Sequence, residues 1–196
     1  MKIELAPIDI LSLESYENVR ADKRQQVRET MRDRRIEVGP FANFIFETYD
    51  SIWLQVHEML RIEKGGEAQI SDELSAYNPL IPKGTGLSST LFFEISESTR
   101  RHAELSKLGG IENTIRLRFG DHDVEAIPDD DTSRTNDAGK TSAVHFLNFP
   151  FTPEQRTAFV AVDADVTLSF GHPGYRHRTV LSPQSYASLC RDFAST

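Results

Sequence analysis

The stretch Phe41-Ala-Asn-Phe-Ile-Phe-Glu-Thr-Tyr-Asp-Ser-Ile-Trp-Leu-Gln-Val-His-Glu-Met-Leu-Arg-Ile-Glu63 decides the fold. Stepped at 100° per residue, Ile45, Tyr49, Ile52, Val56, Met59 and Leu60 fall within about 60° of one direction, with Phe46 and Trp53 on its flank. Glu47, Asp50, Ser51, Glu58 and Arg61 take the opposite face. This pattern predicts one long core helix over 41–63, with Gly39-Pro40 before it and Gly65-Gly66 after it.

Upstream, Pro7 suits the first turn of a short helix reaching Leu13. A second helix is expected over 17–36. Its apolar face is thin, mainly Val27 and Met31, so it lies on a surface or needs a partner. A short helix is expected near 71–76. From Lys83 the period changes to two: Leu87, Ser89, Leu91, Phe93 and Ile95 alternate with Ser88, Thr90 and Glu94, a half-buried strand. A short helix over 97–107 follows, then strands at 115–119, 123–127, 142–149, 166–170 and 175–181. Thr152-Pro153-Glu154-Gln155 reads as a capping box with Pro at the first helical position. Ser182-Pro183 opens a last helix carrying Tyr186, Leu189, Cys190 and Phe193 on one stripe. Ile115–Gly120 and Val166–Gly171 echo each other, which predicts two similar hairpins in one sheet. The expectation is an α+β protein, with N-terminal helices and one long core helix packed on a mostly antiparallel sheet of five or six strands. One domain is expected over 1–196, helical over residues 1–82 and forming the antiparallel sheet, with short helices, over residues 83–196.

The chain has 196 residues, 38% hydrophobic and 27% charged, an ordered globular composition. No apolar run approaches a membrane span and no signal-peptide core is present, so a cytoplasmic protein is expected. The single Cys190 can neither close an internal disulfide nor hold an iron–sulfur cluster alone, and reads as a small core residue. The net charge of −8 argues against a general nucleic-acid binder. Residues 20–35 depart from that balance with seven basic against three acidic residues. Arg20, Arg24, Arg28 and Arg32 recur every four positions and repel one another on a helix, so something acidic should face them. Arg24 and Arg28 are therefore candidate contacts for an acidic patch of the same chain or of a second copy of the chain, the alternative being an acidic protein partner or an RNA backbone.

Motifs with a definite chemistry are scarce. Gly139-Lys140-Thr141 lacks the glycine five residues earlier that a phosphate-binding loop needs, position 134 being Arg. Strand parity points His145 and His172 toward an apolar face. Glu47 and Glu58, eleven residues apart, lie about 20° apart on the expected helix. Glu47, Glu58, His145 and His172 are thus a candidate pocket, either a structural hydrogen-bond network without metal or a Zn, Fe or Mn site. Glu58 is expected to pair with Arg61 or another basic group. Arg134 and Lys140, near both histidines, form a candidate anion contact whose alternative is a solvated loop. No cofactor is expected.

Trp53–Glu63, Gly109-Gly110-Ile111-Glu112, Gly139–Leu147, Phe149-Pro150-Phe151 and Gly171-His172-Pro173 together resemble the bacterial DUF3501 family, over nearly the whole chain. The matching positions include Gln55, Glu58, Met59, Arg61, Glu63, Lys140, His145 and His172, with no established role to carry over. The resemblance implies a genomic context in which neighbouring genes encode rubrerythrin-like di-iron proteins and iron–sulfur oxidoreductases. The resulting expectation is a non-catalytic accessory or binding protein of a redox or oxidative-stress system. Its partner would be an iron–sulfur oxidoreductase, a rubrerythrin-like protein or a second copy of the chain. The alternative is a metal-binding protein or enzyme using the Glu/His pocket.

Overall fold

A computed structural model of the chain describes residues 2–129, 135 and 139–193. The fold is α+β, with two antiparallel sheets among the described residues. The first sheet has the order β1 (Arg35–Val38), β2 (Ala42–Phe46), β3 (Gly86–Phe93), β7 (Val144–Pro150), β6 (Ile127–Pro128). The second has the order β5 (His122–Glu125), β4 (Ile115–Phe119), β8 (Val166–Phe170), β9 (Arg178–Val180). The nine strands of these two sheets replace the five or six expected in one. The two echoing segments are β4 and β8, paired with each other through Ile115↔Phe170, Leu117↔Leu168 and Phe119↔Val166.

The largest apolar cluster lies between the sheets. Phe44, Phe46, Leu87, Leu91, Leu147 and Phe149 of one meet Leu117, Phe119, Leu168 and Phe170 of the other. Strand alternation then turns Ile45, Thr90, Phe92, Val144 and Phe146 to the opposite face of the first sheet. The helices α1 (Leu13–Arg32), α2 (Tyr49–Glu63) and α3 (Gly66–Tyr77) cover that face, with α2 in contact with both others. Ile52, Val56, Leu74, Leu80 and Leu5 form a second, smaller core there. The sheets are tied at one edge, where Tyr175 donates to the Val38 carbonyl at 2.8 Å and accepts from the Ala42 amide at 3.2 Å. Gly39 makes this approach possible: its φ is +75°, and a Cβ there would lie 2.6 Å from the Tyr175 hydroxyl.

The helix expected over 41–63 divides in two. Ala42, Phe44 and Phe46 are fully buried on one side of β2, paired with Phe93, Leu91 and Ser89. The helix begins only at Tyr49, where Thr48 and Ser51 cap each other in a capping box. A run of aromatic and β-branched residues this short satisfies both periods, and the cap fixes the boundary. The second helix starts at Leu13, with Ser12 as its N-cap, and ends at Arg32. Residues 35–38 are strand β1, so the first 82 residues, expected to be helical, contribute two strands. The helix expected near 71–76 extends over Gly66–Tyr77. Downstream, α4 (Ser98–Leu105), α5 (Pro153–Ala161) with its Thr152–Gln155 capping box, and α6 (Pro183–Cys190) with Ser182 as N-cap stand where the sequence puts them.

Candidate functional site

Where the helical layer meets the first sheet it leaves a cleft of about 470 Å³. The sheet supplies Ile45, Thr90, Phe92, Val144 and Phe146; α1 supplies Arg24, Val27 and Met31; α2 supplies Ser51, Ile52, Leu54, Gln55 and Glu58. Glu47, at the junction of β2 and α2, also lines it. This size, with mostly apolar walls and a few convergent polar groups, is that of a small-molecule site.

Glu47 is 9% exposed. Its Oε2 accepts from the Ser51 hydroxyl at 2.6 Å and its Oε1 from the Thr90 hydroxyl at 2.7 Å. Burial pushes its pKa above the usual carboxylate range, while the two hydroxyls and the more distant Arg34 pull it down less strongly. Glu58 is the opposite case. Arg20 donates to both of its oxygens, at 2.7 and 2.9 Å, and the Tyr16 hydroxyl donates at 2.6 Å. The Arg20 hydrogen bonds are the main cause of a Glu58 pKa pulled down to about 2. Glu58 therefore pairs with Arg20, and Arg61 pairs with Glu17 instead.

Beneath the junction, Arg34 is 2% exposed and spends every guanidinium N–H. It donates to the carbonyls of Phe46, Glu47 and Ser188 and to both oxygens of Asp192, at 2.5–3.1 Å. One residue thus fastens the turn that presents Glu47 to the C-terminal helix. The basic run 20–35 gave no sign that Arg34 would be its buried member.

The four residues expected in one pocket are not brought together. Glu47 and Glu58 do line the same cleft, although Glu47 precedes α2 rather than lying on it. His145 pairs with Leu91 and points into the inter-sheet core, fully buried, on the face away from Thr90 and Glu47. Its Nε2 lies 3.2 Å from the Thr141 hydroxyl and 3.0 Å from the Ser142 carbonyl, and its Nδ1 lies 3.9 Å from Glu112. His172 is at the turn after β8, where its Nδ1 accepts from the Gly174 amide. Among the described residues no group of three or more His, Cys, Asp or Glu is placed to hold a metal. Lys140 is half-buried, and Arg134 lies outside the described residues. Arg24 and Arg28 are exposed on α1, and the acidic group opposite, Glu58, is taken by Arg20. Cys190 packs at the margin of the inter-sheet core, and burial pushes its thiol pKa up.

A second, larger groove of about 1380 Å³ runs between the N-terminal segment and α3, lined by Leu5, Ile10, Leu60, Ile70 and Leu74. It presents no buried titratable group.

The chain belongs to the DUF3501 family, whose model, described as a protein of unknown function, matches residues 4–193. A solved structure of a novel protein of unknown function from Burkholderia pseudomallei K96243 is 38% identical, with a TM-score of 0.87, covering 96% of this chain and 98% of that one. No curated protein matches the chain. No helix among the described residues is long and apolar enough to cross a membrane.

Proposed function

We propose that the protein is a non-catalytic binding protein whose cleft between α1, α2 and the first sheet takes a small, largely apolar molecule. The observation that carries this reading is Glu47, a nearly buried carboxyl held only by hydroxyls, facing a cleft whose other walls are mostly apolar. Its two hydroxyl bonds fix the carboxyl at the buried end of the cleft, a single oriented polar point among apolar walls, which is the arrangement that small-molecule sites use to set a ligand's orientation. A binding role fits better than acid–base catalysis. Glu58 is too strongly held by Arg20 and Tyr16 to be an effective base, and both oxygens of Glu47 are already engaged.

The test is an NMR titration with 1-octanol. Shifts at the amides of Phe92, Val144 and Phe146, abolished by filling the cleft with Val144→Trp or Ile45→Trp, are expected. No shifts, or shifts confined to Leu5, Ile10 and Ile70, would overturn the reading. The partner implied by the family, an iron–sulfur oxidoreductase or a rubrerythrin-like protein, is a separate proposal. The exposed arginines of α1 are its contact, and salt-insensitive capture by an Arg24→Glu/Arg28→Glu variant would refute it.

A further inference from the structure

We infer that the molecule taken by this cleft is an anionic amphiphile, its negative head group held by Arg24 at the mouth and its apolar body lying along the sheet face; this rests on the binding reading above. Arg24 lines the cleft and also a shallow depression on the outside of α1 that it shares with Arg20 and Arg28, so its side chain stands where the cleft opens to solvent.

Among the described residues its charge meets no direct ion-pair partner, acting on Glu58 only from a distance. Arg20 is paired with Glu58, Arg61 with Glu17 and Arg34 with Asp192. Among the described residues no carboxylate forms an ion pair with Arg24 or Arg28. These two like charges sit one helical turn apart, a spacing that repels. An anion at the mouth relieves that repulsion and gives Arg24 the planar, two-point contact a guanidinium makes with a carboxylate or phosphate.

Beyond the mouth the charge falls away. Val27, Met31, Ile45, Phe92, Val144 and Phe146 offer an apolar wall for a chain or ring. Among the described residues that line the cleft, Arg24 is the one cation. Glu58 is paired with Arg20, and the Glu47 carboxyl, bonded to the Ser51 and Thr90 hydroxyls, is the polar group at the buried end. The order from solvent inward is therefore cation, apolar wall, hydrogen-bonding carboxyl.

The test compares sodium octanoate, 1-octanol and octylammonium chloride, three probes of one chain length and different heads, by calorimetry below their aggregation limits at low salt. Octanoate should bind about tenfold more tightly than octanol and octylammonium more weakly than both, a tenfold ratio being ~1.4 kcal/mol. Arg24→Gln should bring octanoate down to the level of octanol, and Arg28→Gln, which removes the repulsion but not the head-group contact, should lower the ratio by less than Arg24→Gln does. Octanoate no tighter than octanol, a ratio untouched by Arg24→Gln, or octylammonium as the tightest probe would overturn the inference while leaving the cleft reading in place. Failure of all three probes to bind would instead remove the cleft reading itself.

Discussion

Replacing Arg34 with Met should be among the most damaging single changes in this chain. Met keeps an unbranched apolar stem of similar reach, so the loss is of the guanidinium rather than of volume. Five N–H donors disappear, leaving the carbonyls of Phe46, Glu47 and Ser188 without this partner and Asp192, 7% exposed, without its cation. Removing one member of a buried ion pair costs about 3–5 kcal/mol. That is a large share of the roughly 5–15 kcal/mol that holds a domain folded. At about 2–4 °C per kcal/mol for a chain of this size, the melting temperature should fall by roughly 6–20 °C. The loss should also depend on pH. Burial raises the Asp192 pKa above its ordinary value even with Arg34 present, and Arg34 opposes that rise. Without Arg34 the pKa rises further, so the folded variant holds a proton that the unfolded chain has released. Its stability then falls as pH rises from 3.8 through the folded pKa, and the deficit against the parent narrows in acid. Thermal unfolding of Arg34→Met and of Arg34→Met/Asp192→Leu across pH 4–8 reads both effects. The double variant should recover part of the loss, since an apolar pair replaces the stranded charge while the carbonyls stay unpaired. A single-variant loss below about 1 kcal/mol, or a deficit that widens in acid, would refute the reasoning.

Other changes test neighbouring parts of the same layer. Ile52→Asp places an unpaired charge at a site 2% exposed and should abolish the cooperative unfolding transition seen by circular dichroism, at a cost of several kcal/mol. Glu47→Gln removes a carboxyl whose folded pKa is raised above 4.5. The parent therefore loses stability as pH rises from 4.5 through that folded value, and the variant should gain melting temperature above this window and not below it. Glu58 has the opposite sign, its pKa lowered from 4.5 to about 2, so its contribution is present above pH 4.5 and lost as pH falls toward 2. Arg20→Gln should flatten that acid limb, read by urea unfolding at pH 3 and pH 6.

The fold class was legible in the sequence because period-two segments such as Ile115–Phe119 and Val166–Phe170 leave a half-buried strand as the simplest reading. Caps were legible too: Thr152–Gln155 and Ser182 hydrogen-bond their helix starts as their residue types require. The division of residues 41–63 was not. Phe44, Ile45 and Phe46 fit a helical stripe and a strand equally, and only pairing with β3, forty residues away in sequence, decides between them. That ambiguity displaced Glu47 from the helix face to a sheet–helix junction. The partnering of Glu58 was legible only as a need for some cation; that Arg20 rather than Arg61 meets it depends on how α1 crosses α2. His145 points inward by parity as expected, whereas His172 lies past the end of β8 in a turn, half-buried, with its ring on the Gly174 amide; parity within a strand does not say which of two sheets holds it or which face meets the helices.

The cleft follows from the weakness of α1 as a covering element. A helix that closes a sheet face needs an apolar stripe at least three or four residues wide per two turns. Along the length of α1 that faces the sheet, Val27 and Met31 are the apolar side chains that line the cleft, and Arg24 occupies the position one turn before. Ile45, Phe92, Val144 and Phe146 consequently stay half-buried although their strands lie in the interior of the sheet. Completing the stripe would be simple in sequence terms: Leu in place of Arg24 would extend it by one turn and bury part of that face, at about 25 cal/mol for each Å² removed from water. Keeping arginine there forgoes that gain and leaves a charge beside an apolar wall. The same substitution separates two accounts of the cleft. If it is only an imperfection of packing, Arg24→Leu raises the melting temperature and changes nothing else. If it is a binding site, Arg24→Leu raises the melting temperature and also abolishes the preference for octanoate over octanol.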